Sequence, residues 1–172
     1  MRMSALFSYG GGARSVAYAC MGRRLCAKSR GLALQYGFIR RVKMIIGIGV
    51  DLAQIAEIGR LAEVTGDSFL RRTFTEEERE EAQRRATKEA RLEYYAARFA
   101  AKEAVFKALA PHTPEKGFDF RHVCTLNRED GSPYVKMTDW MREICAEAGV
   151  RDLHISITTE GEYAAAFVVV EG

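Results

Sequence analysis

The first 43 residues contain no aspartate and no glutamate, although nine arginines and lysines fall among them, from Arg2 to Lys43. The formal net charge of +3 over 172 residues therefore hides a break. After residue 43 the chain carries 17 basic and 23 acidic side chains, a net of −6. So sharp a change of sign marks a boundary. No run of 18 apolar residues occurs, which argues against a transmembrane helix and against a membrane partner. The four cysteines (Cys20, Cys26, Cys124 and Cys145) include no CxxC pair. Neither a zinc site nor a disulfide framework is indicated, and they read as reduced thiols of a cytoplasmic protein. A Gly-Lys-Ser/Thr ending is missing too, so any phosphate site must be built from side chains and a metal rather than a P-loop.

Residues 1–43 are rich in glycine (Gly10, Gly11, Gly12, Gly22, Gly31 and Gly37) and poor in periodicity. Three readings fit: a disordered or upstream-start leader without a fold, an organelle-targeting segment, or a basic arm for nucleic acid. The expectation adopted is a basic leader over 1–43 and one folded domain over 44–172. A nucleic-acid-binding module led by the arm is the alternative function. Against it stands the acidic body, whose own charge repels phosphates, so no nucleic acid is expected as a partner.

From Met44 the pattern becomes regular. Met44–Val50 is apolar and rich in isoleucine and valine, which predicts a buried strand ended by Asp51. LAQIAEIGRLAEV then repeats at helical spacing up to Gly66. Thr75 and Glu78 match a capping box for a charged helix, and Thr87 is placed to cap a long helix reaching about Leu109, closed by Pro111 and Pro114. A strand near 122–126, the Asp130-Gly131 turn and a return strand over 133–137 predict a hairpin. Thr138 starts a helix that stops at Gly149, and two more strands (153–158 and 163–170) meet at Glu160-Gly161. That order predicts an α+β domain: a largely antiparallel sheet with helices packed on one side.

Two acids stand out. Asp51 follows an apolar strand, where with Gln54 it could simply cap the next helix. Glu103, in the stretch FAAKEAVFKAL, lies four residues after Phe99 and three before Phe106, on or beside an apolar helix face. Its plainer role is an i,i+4 pair with Lys107, worth about 0.3 kcal/mol. A surface pair needs no place beside two phenylalanines, however, and a buried carboxylate needs a cation. Two carboxylates from separate elements can grip a hard divalent ion such as Mg2+, with Lys107 adding charge for a phosphate oxygen.

GIGVD at 47–51 followed by ARFAAKEAVFKAL at 97–109 resembles the holo-acyl-carrier-protein synthases of the 4′-phosphopantetheinyl transferase superfamily. FTEEE at 74–78, DGSPYV at 130–135 and SITTEGEYAAAFVVVE at 156–171 extend the resemblance from Met44 to the end. It implies a 4′-phosphopantetheinyl transferase-like fold. It also implies transfer of the phosphopantetheine arm of coenzyme A to a serine of acyl carrier protein, with release of adenosine 3′,5′-bisphosphate. By the same resemblance Asp51 and Glu103 hold Mg2+, and Glu103 and Lys107 serve catalysis. Lys107, Lys102 and Arg98 contact coenzyme A, Lys102 being equally readable as a solvated helix charge. A homotrimer is implied, with coenzyme A held where subunits meet.

The chain departs from the family pattern at three places. Glu57 stands where many relatives carry an arginine that binds the acidic carrier, and Arg60, Arg71, Arg72 and Arg79 are the candidate substitutes. Thr159 stands where many carry histidine. The loop after the long helix reads APHTPEKGF where relatives are often glycine-rich. None of His112, His122 and His154 falls in a matching motif, so no histidine is expected to act in catalysis.

Overall fold

A computed structural model describes residues 44–113 and 117–172. The expectations for residues 1–43, and the closing role given to Pro114, lie outside the described residues. Strand β1 (Ile45–Gln54) pairs antiparallel with β5 (Tyr163–Glu171), which pairs antiparallel with β4 (Asp152–Glu160). The sheet order is thus β1-β5-β4, beside a separate hairpin of β2 (Cys124–Asn127) and β3 (Pro133–Lys136). The helices are α1 (Ile55–Thr65), α2 (Asp67–Thr73), α3 (Glu76–Gln83), α4 (Lys88–Leu109) and α5 (Asp139–Glu147). The α+β, antiparallel expectation holds.

The helix starts follow from local chemistry. The Thr75 hydroxyl accepts from the Glu78 amide at 3.3 Å, and the Glu78 carboxylate accepts from the Thr75 amide at 2.9 Å, completing the capping box. Thr87 and Thr138 cap α4 and α5 by accepting from the Ala90 and Met141 amides. Helix α2 has no counterpart in the sequence reading: seven residues with one apolar pair, Phe69 and Leu70, carry too little periodicity to register. Strand β1 also runs further than expected. Its pairing continues through Asp51↔Ala166 to Gln54↔Tyr163, because β5 offers a matching edge that satisfies each backbone group. Helix α1 then starts at Ile55, with Gln54 as N-cap and no side-chain cap bond. Asp51 is therefore inside a strand, and the capping role is overturned.

Alternation along β1 decides what each face does. Gly47, Gly49, Asp51 and Ala53 share one face; Ile48, Val50 and Leu52 share the other. Helix α4 lies across the first face. A Cβ on Gly49 would sit 1.8 Å from the Ala104 carbonyl oxygen, and one on Gly47 2.3 Å from that of Ala108. Backbone meets backbone there, and Ala100, Ala101, Ala104 and Ala108 keep α4 equally slim where it is wholly buried. Ala164, Ala166, Val168 and Val170 of β5 complete this core. On the other face Ile48, Val50, Leu52 and Phe167 are about half exposed.

Gly49→Ala drives a methyl into a backbone carbonyl, a clash no rotamer relieves. It should cost about 3 kcal/mol, the upper end for overpacking, read from the denaturant midpoint. A midpoint equal to the parent's would mean the strand and helix are not in the contact described.

Candidate functional site

The inward positions of β1 lead directly to the acids. Two residues beyond Gly49, Asp51 lies on the same face, and its partner on α4 is Lys107. Lys107 Nζ donates to Asp51 Oδ1 at 2.7 Å and to the Val50 carbonyl oxygen at 3.1 Å. The Asp51 side chain is largely covered at 15% exposure, while Lys107 is about half exposed. Lys107 is thus directed across to the strand rather than along the helix, which replaces the expected surface pair with Glu103. Glu103 sits half-buried one turn earlier on α4. Burial raises its carboxyl above the ordinary glutamate range, the negative charge of Asp51 adds to the rise, and Lys107 opposes it. The three sequence-predicted groups Asp51, Glu103 and Lys107 are therefore brought together in one electrostatic cluster.

Among the described residues no group of three or more His, Cys, Asp or Glu side chains could hold a metal ion. The donor set here is two carboxylates. That fits a hard ion such as Mg2+, which typically takes one or two carboxylates and leaves the rest of its octahedron to water and phosphate. It does not fit a structural zinc centre, which wants four nitrogen or sulfur donors.

A second feature lies on the other flank of α4, towards β4. A cavity of about 280 Å3 is lined by Arg85, Tyr94, Arg98, Asn127, Thr158 and Thr159, among others. Arg98 is buried and donates to Asn127 Oδ1 at 2.5 Å. Its guanidinium lies 4.4 Å from the Tyr94 ring centre, with that of Arg85 5.0 Å from the same ring. The Nε atoms of Arg85 and Arg98 are buried without a partner among the described residues. Two guanidiniums with donors to spare make this cavity suited to an anion and a flat ring. The sequence reading named Arg98 and missed Arg85 and Tyr94. Tyr94 lies one turn before Arg98, so helical spacing could have found it; nothing local marks Arg85.

Lys102 is corrected. Rather than meeting phosphate or solvent, it is fully buried and pairs with Glu78 at 2.7 Å, also fully buried. It donates further to the carbonyl oxygens of Phe120 and Val123. The physical reason is the 100° step per residue: adjacent to Glu103 in sequence, Lys102 points to another side of α4, into the interior beside α3 and β2. Burial pushes its pKa down, and Glu78 opposes that push. Glu78 joins three elements, because it also accepts from the Thr125 amide at 2.8 Å.

The arginines proposed for carrier docking also divide. Arg60 forks onto Glu57 with bonds of 2.5 and 2.9 Å, so it neutralises Glu57 rather than replacing the absent arginine. Arg71 faces Asp67 at 3.6 Å, and Arg72 donates to the neutral Ser68 carbonyl oxygen. The histidines are placed elsewhere: His112 donates to the Ile46 carbonyl oxygen, His122 stacks on Trp140, and His154 lies against Glu171.

Fold and site together define a class: a small α+β domain that joins a strand acid to a helix acid and keeps a cationic cavity beside the same helix. Residues 47–168 match the family model described as the 4′-phosphopantetheinyl transferase superfamily. The holo-acyl-carrier-protein synthase of Desulforudis audaxviator is 41% identical over 129 residues, covering 75% of this chain and 95% of that protein. Among solved structures, the synthase from Neisseria meningitidis gives a TM-score of 0.66 at 31% identity, covering 75% of this chain and all of that one. The Bacillus anthracis synthase, solved in complex with CoA (3′,5′-ADP), gives 0.58 at 30% identity, covering 74% and 97%. The chain belongs to the 4′-phosphopantetheinyl transferase superfamily.

Lys102→Met strands the Glu78 carboxylate in the interior and should cost about 3–5 kcal/mol by chemical denaturation. Glu103→Gln should act oppositely. A carboxyl whose folded pKa is raised loses native stability as pH climbs from the ordinary value of 4.5 through the folded value. Removing it should therefore stabilise the apo-protein at neutral pH, with the gain fading below pH 4.5. Thermal denaturation across pH checks this, and a neutral-pH loss on Glu103→Gln would contradict the electrostatics described.

Proposed function

We propose that this protein transfers the 4′-phosphopantetheine arm of coenzyme A to a serine of apo acyl carrier protein, giving holo carrier and adenosine 3′,5′-bisphosphate. The observation that carries the reading is the meeting of Asp51, Glu103 and Lys107 at the β1–α4 crossing. Asp51 and Glu103 hold Mg2+ in this reading. Bound there, the ion supplies charge neutralisation to the diphosphate as the leaving group departs. Lys107, half exposed on a flexible stem, offers its ammonium to a phosphate oxygen. The serine oxygen bonds to the phosphorus that carries pantetheine, the bridging P–O bond to the nucleotide breaks, and the serine proton is released. Arg98, with Arg85 and Tyr94, receives the nucleotide end.

The acid cluster and the Arg98 cavity lie on opposite flanks of α4, one at the β1 edge and one at the β4 edge. A coenzyme A molecule using both kinds of surface is naturally shared between neighbouring copies. The half-exposed apolar face of the sheet supports the same view. It sets Val50 opposite Phe167 and Ile48 opposite Val169, an array suited to self-association. A homotrimer is therefore part of the reading. So is a cytoplasmic location, since Cys124 and Cys145 are buried free thiols. Carrier docking falls to Arg71 and Arg72, Arg60 being committed to Glu57. Residues 1–43 are read as a leader outside the transferase domain.

Incubated with coenzyme A, Mg2+ and apo acyl carrier protein, the full chain and a version starting at Met44 should each add one phosphopantetheine to the carrier, read by mass spectrometry. Both should sediment as trimers. Glu103→Gln should slow transfer at least about 100-fold, as loss of a charge-stabilising group does. Unchanged carrier mass with several carriers, or transfer by Glu103→Gln at the parent rate, would sink the reading.

A further inference from the structure

Lys107 Nζ holds one oxygen, Oδ1, of the same Asp51 carboxylate that is read as a metal ligand, at 2.7 Å. An ammonium and a divalent cation brought to this one largely covered carboxylate repel strongly, with little water between them to screen the repulsion. The rest of the contact is built to be released. Lys107 is about half exposed, so its head can swing to solvent, whereas Asp51 is largely covered and stays. Its second bond is to the neutral Val50 carbonyl oxygen. The stem rises from α4 one turn after Glu103, so a released ammonium remains within reach of the acid pair and free to pair with a phosphate bound beside it.

We propose that Lys107 is the resident counter-ion of the acid pair, that it must leave Asp51 for a divalent ion to enter, and that metal and diphosphate therefore load cooperatively. This rests on the reading of Asp51 and Glu103 as the Mg2+ site, and it adds a rule for how that site fills. With Lys107 on Asp51, metal entry costs an ion pair. A diphosphate gives the ammonium a new partner, which removes that cost. By reciprocity, metal then tightens diphosphate binding by the same factor. The side chain thus alternates between two anions, and the order in which they claim it sets the affinity of the site.

The test is Mn2+ binding to the full chain, followed by the electron paramagnetic resonance of free Mn2+, with and without coenzyme A. Without coenzyme A, Lys107→Met should bind Mn2+ up to about fivefold more tightly than the parent, the upper end for a partly exposed ion pair. Lys107→Arg, which keeps a cation for Asp51, should stay within about twofold of the parent. In the parent, coenzyme A should tighten Mn2+ binding beyond what its own chelation gives, and Lys107→Met should lose most of that excess. A second readout is the Lys107 Nζ resonance in protein labelled with 15N-lysine, which should shift with Mg2+ at the same midpoint as metal binding. Equal or weaker Mn2+ binding by Lys107→Met, or an Nζ signal unmoved while metal binds, overturns the counter-ion role and leaves the Mg2+ site standing. Absence of Mn2+ binding in every case, coenzyme A included, overturns the Mg2+ site and the counter-ion role together.

Discussion

Helix α4 reaches its place only because β1 presents no side chain at positions 47 and 49. The two glycines let a helical backbone rest on a strand backbone, and that contact fixes how far along the strand each turn of the helix falls. Ala104 and Ala108 occupy the contact, so Glu103 and Lys107, one step before each, stand at its border opposite Asp51. Glycine in a strand is entropically unfavourable, and a slim alanine face forgoes the burial that leucines would give. The fold accepts both penalties, and the return is a helix–strand pair too close to slide. The motif GIGVD is thus one steric device: two gaps and then an acid, all on the face that α4 covers.

Charge is handled in two contrasting ways along the same helix. The Glu78–Lys102 pair is sealed from water and saturated: the carboxylate accepts two backbone amides and an ammonium, and the ammonium also meets two carbonyl oxygens. Nothing remains for a ligand, and the pair ties α3, α4 and β2 into one block. Asp51, Glu103 and Lys107 are left under strain instead. The half-buried Glu103 carboxyl feels the negative charge of Asp51, and the half-exposed Lys107 ammonium opposes it. The Arg98 cavity shows the mirror image, with the Nε donors of Arg85 and Arg98 unpartnered among the described residues. Saturated charges hold the frame, and unsaturated ones mark where a polyanion would be received.

Much of this was legible in the residues. The capping box at Thr75–Glu78 was readable because both partners lie within four residues. The half-burial of Glu103 was readable because it lies beside Phe99 and Phe106, whereas its pairing with Asp51 rested on the resemblance of GIGVD and FAAKEAVFKAL to a known family. What escaped was set by long-range packing. Whether Asp51 caps a helix or continues a strand depends on the length of β5, more than a hundred residues later. Whether Lys102 meets solvent depends on Glu78, Phe120 and Val123, none of them near it in sequence. Arg85 reaches the cavity through a fold-level approach that no local pattern encodes.

The sealed Glu78–Lys102 pair also constrains how this lineage can drift. Losing either side chain alone strands its partner inside, so the first of any two replacements is harmful even where the final apolar combination would be tolerated. Such sign epistasis makes the pair an evolutionary ratchet. The exposed arginines of α2, whose partners are Asp67 and a backbone carbonyl, face no such barrier and can be replaced one at a time while the interior stays locked.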